Sequence, residues 1–308
     1  MSEEILSAAH DRGDKGTGVD SPDEPRRRQF VKTSLAAGFA AAAAPINVRA
    51  VIQTDAADLV AGDIRIPVAH GYQMPGYRAQ PAPQSTTGAN LPTILVVHEI
   101  FGVHEHIRDV CRRFAKVGYL AIAPDLFARH GNAAAVADMN TLVREVVSRA
   151  SDSEVLADLD ATASWAASHG GDAARQGVTG FCWGGRITWL YAAHQPKLKA
   201  AVAWYGRLVG EATANQPMHP IDVVSQLRVP VLGLYGGADS GIPVETVERM
   251  KQALAAAPAP GSESQFVIYP GASHAFFADY RPSYQEASAL DGWSRCLDWF
   301  AKHGLSAN

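Results

Sequence analysis

Cys182, Asp239 and His274 are residue types that act together in covalent catalysis. Each sits in a short glycine-rich segment: Gly180-Phe181-Cys182-Trp183-Gly184-Gly185, Gly236-Gly237-Ala238-Asp239 and Gly271-Ala272-Ser273-His274. A thiol attacks a carbonyl as its thiolate, so it needs a base within reach, and that base needs a carboxylate to hold it. The chain order nucleophile, acid, histidine matches the G-x-S-x-G elbow arrangement, with sulfur replacing oxygen. Glycine is favoured at 180 and 184 because a side chain there would collide with the turn or a neighbouring strand. The helix that follows points its N-terminus at Cys182 and favours the thiolate. The blander readings are a buried structural cysteine, a loop-capping aspartate and a histidine bonded to backbone. The three segments together favour catalysis.

A second segment, His98-Glu99-Ile100-Phe101-Gly102, follows the apolar run Leu91 to Val97. A turn there aims backbone N–H groups at the site, and with the N–H after the nucleophile it would form an oxyanion hole from Ile100 and Trp183. Glu99 is unexpected in that place. A carboxylate would repel the charge that develops there, so it must be held away or neutralised during turnover; otherwise it is a solvated loop residue. His194 falls about three helical turns from Cys182 and reads as a surface or C-capping group. No motif surrounds His219 or His303.

These segments must be carried by a scaffold. Leu91 to His98, Tyr119 to Ala123, Gly177 to Phe181, Leu198 to Tyr205, Val229 to Tyr235 and Gln265 to Tyr269 read as short apolar strands. Between them, Ile107, Val110, Cys111, Phe114 and Val117 recur at helical spacing. Residues 153–168 predict a helix capped by Ser153, with Leu156, Leu159 and Trp165 facing inward. Further helices are expected over 184–194, 244–256 and 284–303. Strands alternating with helices imply an α/β fold, a mostly parallel sheet covered on both faces, with its chemistry beyond the carboxyl ends of the strands.

The chain has 308 residues, 47% of them hydrophobic, enough for one sizeable core. Its net charge of −4 gives no electrostatic reason to expect nucleic acid as a partner. Three cysteines without a C-x-x-C pair or dense Cys/His spacing argue against a zinc site or redox dithiol, and no cofactor motif is present. Cys111 and Cys296 read as ordinary core residues.

Residues 1–50 form a separate leader before a domain spanning 51–308. Arg27-Arg28-Gln29-Phe30-Val31-Lys32 precedes an alanine-rich apolar run, Leu35 to Ala44. This resembles a twin-arginine (Tat) export signal. The run is too short for a bilayer span, which needs roughly 20 residues. Ala42-Ala43-Ala44 offers a cleavage site. The expectation is a protein carried by the Tat machinery to the periplasm, or anchored to the membrane if the segment is retained.

The His-Glu-Ile-Phe-Gly, Gly-Phe-Cys-Trp-Gly-Gly, Gly-Gly-Ala-Asp and Gly-Ala-Ser-His segments together resemble the dienelactone hydrolases (carboxymethylenebutenolidases), over roughly residues 60–303. The resemblance implies an α/β-hydrolase fold and a Cys182/His274/Asp239 triad that cleaves a small-molecule ester or lactone. It also implies a role for Glu99 in contacting and activating the nucleophile. Family members that open dienelactone bind its carboxylate with arginines. Arg281 is the candidate after His274, although it lies later than in those members. Arg129, Arg144 and Arg149 compete for the second position. A thioesterase, peptidase or acyl transferase on the same residues, or a catalytically silent binding protein, stays open at this point.

Overall fold

The computed structural model describes residues 52–83 and 90–307. The leader and its export-signal pattern lie outside the described residues. An eight-stranded sheet forms the centre, in the order β1-β2-β4-β3-β5-β6-β7-β8. The strands are β1 (Leu59–Pro67), β2 (Gln73–Pro81), β3 (Leu91–Val97), β4 (Leu120–Pro124), β5 (Gly171–Phe181), β6 (Ala200–Trp204), β7 (Val231–Gly236) and β8 (Gln265–Tyr269). From β4 to β8 across the sheet all pairings are parallel; β1 with β2 and β2 with β4 are antiparallel. This is the mostly parallel α/β sheet expected from the alternation of strands and helices, in the α/β-hydrolase architecture that the resemblance implies.

The helices are α1 (Glu105–Lys116), α2 (Met139–Glu145), α3 (Asp152–Ser168), α4 (Trp183–His194), α5 (Val244–Ala255) and α6 (Glu286–Lys302). Phe114 of α1 meets Trp293 and Phe300 of α6 with ring centroids 4.6 and 6.3 Å apart, so these two helices share one face of the sheet. Helices α3 and α4 pack together and against β5. The central strands are apolar on both faces because both are covered: every residue of β4, β6 and β7 is buried. Cys111 and Cys296 are free thiols in this core.

Three local features differ from expectation. The hairpin β1–β2 carries no strong apolar pattern, since β1 is largely half-exposed, and periodicity alone does not reveal it. Helix α3 is capped by Ser151, whose side chain accepts the Glu154 N–H at 3.3 Å, and not by Ser153. Along α3, Leu159 is buried while Leu156 and Trp165 are only partly so. Strand β5 begins six residues before Gly177, because the polar stretch from Gly171 continues the pairing with β3 past an irregularity in register.

Candidate active site

Cys182 occupies the turn between β5 and α4 with φ 56° and ψ −115°, a conformation rarely adopted by a residue with a side chain. Close packing enforces it. A Cβ on Gly180 would lie 2.3 Å from the carbonyl oxygen of Gly184, and one on Gly184 would lie 2.4 Å from that of Val97. Only glycine lets the helix start this near the strands. The Cys182 N–H donates to the Trp204 carbonyl at 3.0 Å, which fixes the turn to β6.

Asp239 and His274 come from the loops after β7 and β8. Those loops are clipped together: Gly237 N–H donates to Tyr269 O at 2.8 Å and Ala238 N–H to Ala272 O at 2.9 Å. His274 Nδ1 lies 2.7 Å from Asp239 Oδ2, while Asp239 Oδ1 accepts the N–H groups of Gly241 and Ile242 at 2.9 and 3.1 Å. The carboxylate therefore accepts a hydrogen bond from Nδ1–H, which keeps the ring proton on that nitrogen. That leaves the buried Nε2, which no nitrogen or oxygen among the described residues satisfies, as the basic nitrogen beside the Cys182 sulfur. Burial opposes protonation of His274, but the Cys182 sulfur and the Asp239 carboxylate outweigh it and raise the imidazole well above its ordinary value. Cys182 and His274 line the same cavity, with a volume of about 210 Å³.

Ile100 and Trp183 line that cavity too. Neither of their N–H groups donates to another described residue. His98, absent from the expected site, sets the Ile100 peptide. Its Nε2 accepts the Leu126 N–H at 3.0 Å, so the ring proton sits on Nδ1, 2.6 Å from the Glu99 carbonyl oxygen. The ring is fully buried, which lowers its pKa, and it stacks on Trp183 at 5.5 Å.

Glu99 is held away from the thiol. Its Oε2 accepts the Tyr280 hydroxyl at 2.6 Å and lies 3.3 Å from His104 Nε2. Burial alone would raise this carboxyl; the Arg281 guanidinium, His104 and His106 more than offset that and hold it far below the usual carboxylate range. Arg281 is buried in the same cluster. Its Nε donates to the Tyr280 oxygen at 2.9 Å, and its guanidinium lies 4.8 Å from the Phe101 ring centre. Its charge is balanced chiefly by Glu99, and it is not among the residues that line the cavity. Of the other arginines considered from sequence, Arg129 is paired with Asp158, Arg144 with Glu145, and Arg149 is exposed. His194 ends α4 and meets Asp160 at 2.7 Å on the surface.

Comparison with known proteins shows the family. The model of the "Dienelactone hydrolase family" matches residues 74–304. A Methylorubrum extorquens protein named "Putative carboxymethylenebutenolidase" is 56% identical over 281 residues, covering 91% of this chain and 94% of its own. An Escherichia coli K12 protein of the same name is 54% identical over 272 residues, covering 88% of this chain and 97% of its own. A crystal structure titled as a putative dienelactone hydrolase from Klebsiella pneumoniae superposes with a TM-score of 0.76 at 59% identity, over 79% of this chain and 99% of that one. With its sheet, its elbow and its loops in this order, the chain belongs to the dienelactone hydrolase family and is a carboxymethylenebutenolidase-like hydrolase of esters or lactones.

Proposed function

We propose that the chain cleaves its ester or lactone through a covalent thioester on Cys182, with His274 as base and Asp239 as orienter. The observation that carries this reading is the 2.7 Å contact between Asp239 and His274 Nδ1, which leaves Nε2 to the Cys182 sulfur, the neighbour that raises the imidazole on the cavity both residues line. The Cys182 proton passes to Nε2 as sulfur attacks the carbonyl carbon. The carbonyl oxygen takes the negative charge and accepts the Ile100 and Trp183 N–H groups. Collapse of this intermediate breaks the carbon–oxygen bond, and the leaving alkoxide takes the proton from the imidazolium. Water then gives a proton to Nε2, attacks the thioester and releases the acid and the thiolate, which is reprotonated.

Glu99, gathered by Tyr280, His104 and Arg281, keeps its charge off the developing oxyanion in this scheme. The twin-arginine pattern supports a further reading, export of the folded enzyme by the Tat machinery. The test of the covalent mechanism is mass spectrometry of the protein quenched during turnover of a p-nitrophenyl ester. The expected result is one acyl adduct on Cys182, with Cys182→Ala folded and slower by several orders of magnitude. Activity of Cys182→Ala within tenfold of wild type would remove Cys182 from the mechanism.

A further inference from the structure

Between β6 and the 3-10 turn Pro220–Gln226, residues 207–218 form neither helix nor strand, yet Thr213 and Gln216 line the cavity over Cys182. A wall built this way takes its place from individual ties. Its tip is turned back on itself: Thr213 N–H donates to Gln216 O at 2.9 Å and Gln216 N–H to Thr213 O at 3.2 Å. Its base is held by His219, a residue with no sequence motif around it.

His219 is 2% exposed, and its ring packs on the Gly210 backbone, where a Cβ would lie 2.5 Å from the ring Cε1. The two ring nitrogens meet opposite kinds of partner. Nε2 lies 3.0 Å from the Glu211 carbonyl oxygen, which only accepts. Nδ1 lies 3.4 Å from Arg186 Nε, which only donates. The proton therefore sits on Nε2 and the lone pair on Nδ1, and the neutral imidazole satisfies both sides. Arg186 belongs to the first turn of α4, where its N–H donates to Cys182 O at 3.3 Å. One neutral ring thus joins the backbone of the wall to the helix that begins at the nucleophile.

The charges around the ring come from four elements. Arg186 stands on α4, and Asp152 of α3 binds its two terminal nitrogens at 2.7 Å. Arg207 comes from the wall, and Asp222 from the 3-10 turn accepts the His219 backbone N–H at 2.8 Å. Glu211 meets the ring through its carbonyl and is an exposed residue. Burial, with Arg186 and Arg207, lowers the His219 pKa below its ordinary 6.5 against the pull of the Glu211 carbonyl and Asp222.

We propose that His219 is a positioning residue, a latch that in its neutral form holds the 207–218 wall against the elbow helix and so sets which acyl groups the cavity accepts. The proposal rests on the reading of the cavity over Cys182 as the substrate site. A proton added at Nδ1 would face the Arg186 Nε–H with no acceptor between them, so the latch lets go on the acid side.

The test uses His219→Asn, which keeps an acceptor for Arg186 but cuts the tie to Glu211 O, and His219→Gln, which keeps the donor to Glu211. Neither side chain titrates. Hydrogen exchange read by mass spectrometry should rise over 208–218 in His219→Asn, rise less in His219→Gln, and stay level over β7. The second readout is the ratio of kcat/KM for p-nitrophenyl hexanoate to that for p-nitrophenyl acetate. At about pH 8 the ratio should fall roughly 10-fold in His219→Asn, chiefly through the KM of the hexanoate, and less in His219→Gln. Ionisation of Cys182 and His274 acts on both esters alike and cancels in the ratio. Between about pH 8 and pH 5 the wild-type ratio should therefore drop with a midpoint below 6.5, and both variants should show a flat line. Exchange over 208–218 that does not rise in His219→Asn, or a ratio with the same pH curve in all three proteins, would overturn the proposal. If wild type cleaves neither ester, the hydrolytic reading is what fails, and the exchange of the two variants still decides the latch.

Discussion

His98 Nδ1 and the Glu99 carbonyl oxygen lie 2.6 Å apart, and that contact fixes the direction of the Ile100 N–H on the other side of the same peptide. Histidine suits the place because it donates to Glu99 O while Nε2 accepts from Leu126. Asparagine reproduces the Nδ1 end of the ring and glutamine the Nε2 end. His98→Gln should therefore lose roughly 10- to 100-fold in kcat with KM little changed, since a misaimed oxyanion donor is felt in the transition state. His98→Asn should keep more of the rate. Steady-state kinetics of both variants decide it; equal losses would make His98 a packing residue only.

Glu99 gives a pH prediction. Its folded-state carboxyl lies below the ordinary 4.5 that the unfolded chain shows. Below that pH the unfolded chain binds the proton first, so the stabilisation is complete above 4.5 and is lost as pH falls towards the folded-state value. Thermal unfolding of wild type and Glu99→Gln from about pH 7 down to about pH 3 should show a gap that narrows below pH 4.5. A gap of constant size would mean that Glu99 is not held by Arg281, His104 and Tyr280 in solution.

Arg186 and Asp152 are both buried and joined by two 2.7 Å bonds, and Arg186 also donates to Met218 O at 2.6 Å. Removing one partner strands the other charge. Urea denaturation of Arg186→Ala should report a loss of about 3–5 kcal/mol. The double change Arg186→Met with Asp152→Leu should recover most of it; a double variant as unstable as the single one contradicts a charge-pair origin.

Export is checked by fractionation. With Arg27 and Arg28 both changed to Lys, the full-length precursor should accumulate in the cytoplasm of a Tat-competent host. Undiminished periplasmic protein would show that the pair is not the signal.

The elbow was legible in the sequence because its geometry is enforced by what is missing: Gly180 and Gly184 mark positions where no side chain fits. Asp239 and His274 were legible because each sits in the loop after a strand, in the order the fold requires. The Ser151 cap had a readable signal too, the Ser-x-x-Glu spacing to Glu154. The Glu99 cluster was not readable, since Tyr280 lies 181 positions away and nothing local links them. Nor does a sequence tell which arginines meet a carboxylate. Arg129, Arg144 and Arg281 look no different from Arg207 until the carboxylates around the first three are in place.

A Cβ on Gly184 would meet His98 O at 2.6 Å as well as Val97 O, so the nucleophile turn packs directly on the strand end that carries Ile100. Bond-breaking parts thus form the fixed floor of the cavity. The opposite wall, with Val143, Val147, Ser148, Thr213 and Gln216, owes nothing to the sheet. It is held through Asp152 N–H to Asn215 O and Asn215 Nδ2 to Ser148 O, both at 2.8 Å, and Asp152 links it to Arg186 of the elbow helix. Mutational drift in that wall can reshape which molecules enter without touching the machinery beneath. Changes of substrate range are therefore expected from that wall, and changes of cleavage rate from the floor.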